Sequence, residues 1–142
     1  MDWCCFEVEL DRYGGDEIDI HEIEEHTIKD IKCLEPGMKV YKRGRTTGET
    51  SGNANNCILQ TWEDQTVTTE IAVIPTETRE FGRRGDSGSL VVTEVNRELY
   101  RVGMLIAVSQ TGVLGIVTPL QIILDDVQAK TGEIITITKP FR

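Results

Sequence analysis

The sequence has no long apolar run, few aromatic residues and only two histidines. A membrane-spanning helix needs about eighteen or more consecutive apolar residues, and no such run occurs. The N-terminus is acidic, without the basic and then apolar regions of a secretory signal. A net charge of −9 also leaves no basic excess for phosphate backbones. These absences predict a soluble, cytoplasmic protein with neither a nucleic-acid nor a membrane partner.

Cysteine is also scarce. The four cysteines are Cys4, Cys5, Cys33 and Cys57, and none of them is spaced as Cys-x-x-Cys. Cys4 and Cys5 are adjacent on a predicted strand, where their side chains face opposite ways. Neither a zinc site nor a disulfide framework is indicated. We expect buried free thiols that pack as small hydrophobes, as in a reducing compartment. No metal or other cofactor is predicted.

The most informative stretch is a glycine-rich turn at residues 82–92, Gly-Arg-Arg-Gly-Asp-Ser-Gly-Ser-Leu-Val-Val. Glycines on both sides of an Asp-Ser pair allow a tight backbone turn, in which consecutive N–H groups point to one spot beside the serine hydroxyl. An ordinary surface turn is the alternative explanation. An α/β-hydrolase is disfavoured, because that class needs Gly-x-Ser-x-Gly followed by a helix, whereas residues 90–95 are typical of a strand.

Gly-Asp-Ser-Gly at residues 85–88 resembles the nucleophile motif of the chymotrypsin-like serine proteases. The resemblance is to their alpha-lytic and streptogrisin-like branch and covers roughly residues 2–130. It is carried by Arg-Gly-Arg-Thr-Thr-Gly at 43–48, Val-Gly-Met-Leu-Ile-Ala at 102–107, Gly-Val at 112–113, Thr-Pro-Leu at 118–120 and Asp2 before an apolar strand. It implies an all-β fold, with one six-stranded antiparallel barrel, a C-terminal α-helix and an N-terminal remnant strand.

This resemblance divides the chain into four parts. Residues 1–14 are predicted to be a remnant of a first barrel, 15–36 an acidic linker, 37–131 the second barrel with its helix, and 132–142 a tail. Residue patterns predict strands at 3–10, 38–42, 57–62, 66–74, 90–95, 99–108, 113–117 and, at an edge, 134–138, with a helix from Pro119 to about Gly132.

The resemblance also implies the chemistry. Ser87 is the expected nucleophile, the N–H groups of Gly85 and Ser87 the expected oxyanion hole, and Asp86 a brace for the turn. Asp2 occupies the place of the triad acid, although a solvated N-terminal aspartate explains it equally simply. His21 and His26 follow Asp2 in an acidic segment, whereas the family's base precedes its aspartate. We therefore expect them to be exposed rather than catalytic.

By the same resemblance, the primary specificity pocket has its floor at Phe81 and its walls at Gly82, Val108 and Gly112. Without an acid at the floor, Lys and Arg are disfavoured, and the pocket is expected to be narrow and apolar or closed. Ordinary core packing is the alternative role of these residues.

Two functions remain open. The first is a serine endopeptidase acting on peptide or protein substrates, truncated and inactive alone because it lacks a general-base histidine, with a first-barrel partner or self-association completing it. The second is a non-catalytic relative that binds peptides or other proteins. An intact serine turn favours the first function, and the missing histidine favours the second.

Overall fold

A computed structural model of the protein describes residues 28–61 and 63–135. The described elements are seven strands and one helix: β1 Lys29–Ile31, β2 Lys39–Gly44, β3 Gly48–Thr61, β4 Val67–Pro75, β5 Leu90–Val95, β6 Glu98–Val108, β7 Gly115–Pro119 and α1 Leu120–Thr131. The glycine-rich turn lies between β4 and β5 and leads into a strand, as the sequence predicts.

The strands form one sheet in the order β1-β6-β5-β2-β3-β4-β7, and a further pairing of β6 with β7 closes β2 to β7 into an antiparallel barrel. The predicted all-β fold of a six-stranded barrel and a C-terminal helix is confirmed. The expected remnant strand at residues 3–10 lies outside the described residues. β1 was not predicted: it lies in the proposed linker and pairs with β6 in parallel.

The barrel is filled by apolar side chains from alternate strand positions. The main core contains Leu34, Val40, Ala54, Ile71, Val73, Phe81, Val91, Val102, Leu105 and Val117. Val92 and Leu99 face the other side of the sheet and pack against Ile28, just before β1. The residue that precedes β1 thus covers an apolar part of the barrel's outer surface, next to the pairing of β1 with β6.

Local residue chemistry explains the connections. Asn96 and Arg97, between β5 and β6, have φ of 53° and 65°, the conformation of a two-residue type I′ hairpin turn. α1 follows β7 directly, with Pro119 as its N-cap residue rather than in its first turn. It ends at Gly132, whose φ is 75° and whose N–H donates to the Gln128 carbonyl at 2.8 Å.

The helix lies on the outside of the barrel. Leu120, Ile123 and Val127 form its buried face and pack with Ile31, Leu90 and Met104. The spacing of three and four residues places them along one side, as the sequence predicts. Leu90 is the first residue of β5, so the helix braces the strand that emerges from the nucleophile turn.

Some details differ from the sequence-based expectations. β3 begins at Gly48, well before the predicted start at residue 57, because it pairs with β2 as well as with β4. Ile134 and Ile135 are exposed and not in a strand, and the rest of the predicted 134–138 edge strand lies outside the described residues. The expectation that Cys33 is buried is wrong: it is an exposed free thiol.

Within the described chain, no helix has the length and apolar character needed to cross a bilayer.

The tight packing of Phe81 against Gly115 inside the barrel predicts an effect on stability. A Cβ on Gly115 would lie 2.4 Å from Cδ1 of the fully buried Phe81 ring. We expect Gly115→Ala to lower the free energy of unfolding by about 1–3 kcal/mol through overpacking, measured by urea denaturation. Phe81→Leu removes ring atoms, so Gly115→Ala should cost less in that background. Equal costs in the two backgrounds would contradict this contact.

Candidate active site

Two consecutive tight turns form the segment around Ser87. The Asp86 N–H donates to the Arg83 carbonyl at 3.0 Å, and the Ser89 N–H donates to the Asp86 carbonyl at 3.0 Å. The third residue of each turn is a glycine with positive φ, +101° at Gly85 and +91° at Gly88. Since neither Arg84 nor Ser87 has positive φ, both turns are of type II.

Only glycine fits at position 85. Its φ lies in the left-handed region, and a Cβ there would lie 2.5 Å from Oγ1 of Thr46. The type II geometry turns the Arg84–Gly85 peptide over relative to a type I turn, so the direction of the Gly85 N–H depends on this glycine. Neither the Gly85 N–H nor the Ser87 N–H donates a backbone hydrogen bond between described residues outside the regular elements.

The buried carboxylate of Asp86 stabilises these turns through hydrogen bonds. This carboxylate has no exposed surface and accepts hydrogen bonds from the backbone N–H groups of Thr46 (2.6 Å), Thr47 (3.3 Å) and Arg83 (2.9 Å) and from the Thr47 hydroxyl (2.7 Å). Burial alone would raise the pKa of Asp86, but these hydrogen bonds outweigh it and hold the pKa far below its usual value. The carboxylate is therefore ionised, and it joins the β2–β3 turn to the nucleophile turn.

A buried lysine supplies the compensating charge. The Lys42 Nζ atom lies 3.5 Å from Asp86 Oδ2, and neither side chain is exposed to solvent. The same ammonium donates to the Thr47 hydroxyl and, at 3.2 Å, to the Gly48 carbonyl. Burial lowers the pKa of Lys42, while the adjacent Asp86 charge opposes that shift. All three donor positions of the ammonium thus have acceptors within this polar cluster.

Ser87 itself is exposed on the outer side of the turn. Its hydroxyl donates to the Ile106 carbonyl of β6 at 2.9 Å. The neighbouring Gly88 N–H donates to the Leu105 carbonyl at 2.7 Å. The serine is therefore held beside β6 by these two hydrogen bonds, while its side chain stays exposed to solvent.

A comparison of the sequence with protein-family profiles gives a match. Residues 18–136 match the sequence profile of peptidase family S64. The chain belongs to peptidase family S64. The predicted membership of a peptidase family is thereby confirmed.

Known structures share the fold of this S64 chain. The chymotrypsin of Cellulomonas bogoriensis matches with a TM-score of 0.60 at 21% identity over 85% of this chain and 62% of its own. A glutamic acid specific serine protease, which utilizes a histidine triad in substrate binding, matches at 0.59 and 19% over 80% and 58%. The NS6 protease of murine norovirus matches at 0.55 and 12% over 65% and 55%. The S64 chain thus spans under two thirds of these structures.

The four residues expected to form a specificity pocket lie close together, and one of them, Phe81, is fully buried. A Cβ on Gly82 would lie 2.7 Å from Cδ2 of Leu105 and 3.5 Å from Cγ1 of Val108. The Phe81 carbonyl accepts from the Thr50 hydroxyl at 2.6 Å, and its N–H donates to the Val113 carbonyl, next to Gly112. The Phe81 ring thus packs inside the barrel as part of the main core, and the specificity pocket stays a prediction.

Asp2, the expected triad acid, lies outside the described residues, and so do the two histidines, which were not expected to be catalytic: His21 and His26. Lys42 was missed, although the sequence carries a signal for it. Met38, Val40 and Lys42 alternate along the strand predicted at 38–42, so Lys42 occupies a core-facing position. A lysine at such a position is seldom buried unless it is paired.

The buried ion pair should contribute far more to stability than an exposed one. In Lys42→Met the Asp86 carboxylate stays buried without its cation, which we expect to lower the free energy of unfolding by about 3 kcal/mol. Lys39→Met is the matched control on the same strand, because the Lys39–Glu77 pair, at 2.7 Å, is exposed. Its loss should cost less than about 1 kcal/mol. Similar costs for the two variants in urea denaturation would refute the bracing role.

The depressed pKa of Asp86 also predicts loss of stability in acid. Its folded pKa lies below the unfolded value of about 3.9, so its stabilisation is fully present above about pH 5 and declines as pH falls through and below 3.9. Asp86→Asn lacks this titration and should show a shallower decline between pH 6 and about pH 3 in urea denaturation. The other carboxylates titrate in both proteins. Parallel curves would show that Asp86 has no such shift.

Proposed function

We propose that this S64 chain carries the nucleophile and oxyanion hole of a serine endopeptidase acting on peptide or protein substrates. The observation that supports this most is the pair of type II turns around Ser87, held by the buried Asp86 carboxylate. An exposed hydroxyl beside two N–H groups without backbone acceptors in the described chain is the arrangement that acyl transfer needs.

In the proposed reaction, Oγ of Ser87 bonds to the substrate carbonyl carbon as its proton passes to a histidine. The negative oxygen of the tetrahedral intermediate then accepts hydrogen bonds from the Gly85 and Ser87 N–H groups, each worth about 3 kcal/mol of barrier height. The histidine proton goes to the leaving amine as the C–N bond breaks, and water hydrolyses the resulting acyl-enzyme. Asp86 only positions the turn.

The general base is proposed to come from outside the described residues. Residues 28–142 contain no histidine, and the Lys42 ammonium is bonded to the Thr47–Asp86 cluster rather than to Ser87. Asp2 remains the proposed triad acid, and residues 37–131 the proposed catalytic barrel. Removing the histidine of such a triad costs on the order of a million-fold in rate. We therefore propose that the chain alone is nearly inactive and needs a first-barrel partner. The proposed location of the protein is the cytoplasm.

One observation favours the alternative of a non-catalytic, peptide-binding relative. The Ser87 hydroxyl donates to the Ile106 carbonyl rather than to a base. In such a protein the serine would stabilise the turn against β6, and the N–H groups of the turn would bind a peptide carbonyl without cleaving the chain.

Labelling with a fluorophosphonate distinguishes these functions. We expect the purified chain to react slowly and only at Ser87, located by mass spectrometry, and a histidine-bearing first barrel to raise the rate by orders of magnitude. Ser87→Ala should not be labelled. Thr66→Ala, which removes an exposed hydroxyl in the β3–β4 connection, should behave like the unchanged chain.

Rapid labelling of the chain by itself would contradict the need for a partner. It would identify His21 or His26 as the base, to be separated by His21→Asn and His26→Asn. No labelling in the presence of the first barrel would reject the enzyme and leave the peptide-binding alternative.

A further inference from the structure

Two exposed arginines flank the serine turn without an acidic partner. Arg45 directly follows β2, and Arg84 lies inside the first type II turn. Both residues are exposed, and neither forms an ion pair with a carboxylate of the described chain. Arg83, by contrast, is paired with Glu80. The positive charges of Arg45 and Arg84 therefore face solvent without a compensating carboxylate among residues 28–61 and 63–135.

Hydrogen bonds fix the backbone that carries these arginines close to Ser87. The Thr46 hydroxyl donates to the Arg84 carbonyl at 3.0 Å, and the Thr46 N–H donates to Asp86 Oδ1 at 2.6 Å. Nη2 of Arg45 lies 3.3 Å from the point where a Cβ on Gly85 would be. One guanidinium thus lies against the residue that precedes Asp86-Ser87, and the other projects from the same turn.

The positive charge of Arg45 and Arg84 does not result from a basic composition of the protein. Ten of the 24 acidic residues but only one of the 15 basic residues fall in residues 1–27, so the chain from Ile28 onward has no net charge. In a neutral barrel, two unpaired arginines at the serine turn produce a local positive potential. Such a potential raises the local concentration of oppositely charged ligands.

We propose that Arg45 and Arg84 select substrates with acidic side chains close to the scissile bond. The inference rests on the proposed function, because it takes the peptide to lie across the Ser87 turn. Guanidinium groups bind carboxylates through two parallel hydrogen bonds, so Glu or Asp is favoured over Gln or Asn. Because both arginines are exposed, the preference should be modest in size and sensitive to salt.

Binding of a defined peptide tests this without requiring turnover. The probe is a dye-labelled hexapeptide of alternating Ala and Glu, and its comparison peptide has Gln in place of Glu. Fluorescence anisotropy with the full chain carrying Ser87→Ala should show about tenfold tighter binding of the Glu peptide at 50 mM salt. Most of that difference should disappear at 500 mM salt.

The arginine variants assign the effect to the serine turn. In the Ser87→Ala background, Arg45→Gln and Arg84→Gln should each weaken binding of the Glu peptide about 2- to 5-fold, and together they should abolish the preference. Arg97→Gln is the matched control, an exposed arginine in the β5–β6 turn at the far end of β5 from Ser87. It should leave the preference unchanged.

Equal binding of the two peptides, no detectable binding of the Glu peptide, or an equal loss in Arg97→Gln would overturn the inference. Because the readout is binding to a chain without the Ser87 hydroxyl, it is separate from fluorophosphonate labelling. Failure to label Ser87 with an intact acidic preference would reject the enzyme, while normal labelling without the preference would reject only the role of the arginines.

Discussion

The buried carboxylate of Asp86 determines the shape of the serine turn. An ionised Asp86 is stable inside the protein only if its oxygens are bonded and its charge is compensated. Those partners come from three places in the chain: Lys42 of β2, the Thr46–Thr47 turn and the Arg83 N–H. The carboxylate therefore links the serine turn to β2 and to the β2–β3 turn of the barrel.

This dependence explains how a small barrel can carry a precise site on a loop. In the proposed oxyanion hole, the Gly85 and Ser87 N–H groups would act only if they are oriented before the substrate arrives. The turns that orient them are short, but they lie between the Asp86 cluster on one side and β6 on the other, where Gly88 and Ser87 are bonded to the Leu105 and Ile106 carbonyls. Rigidity therefore comes from the barrel rather than from the loop.

The same barrel accommodates very different sequences, as the low identities to the matching protease structures show. Strand alternation and close packing need only apolar residues of suitable volume at inward positions. Two features of this S64 chain lie close to the serine turn: the Phe81 ring, which packs against Gly115 inside the barrel, and two exposed arginines, Arg45 and Arg84. In the proposed function, substrate choice would rest on a few side chains carried by a common framework.

Local signals in the sequence were sufficient for the barrel strands, the β5–β6 hairpin, the C-terminal helix and the glycines of the serine turn, because each depends on residues close together in the chain. The partners of those residues were decided only by the tertiary structure. Lys42 and Asp86 are 44 positions apart, and Ser87 and Ile106 are 19 apart. Likewise, β1 exists because β6 offers an edge to pair with. Spacing along the chain shows which side chains face inward, but only the closed sheet brings a buried lysine to a buried aspartate.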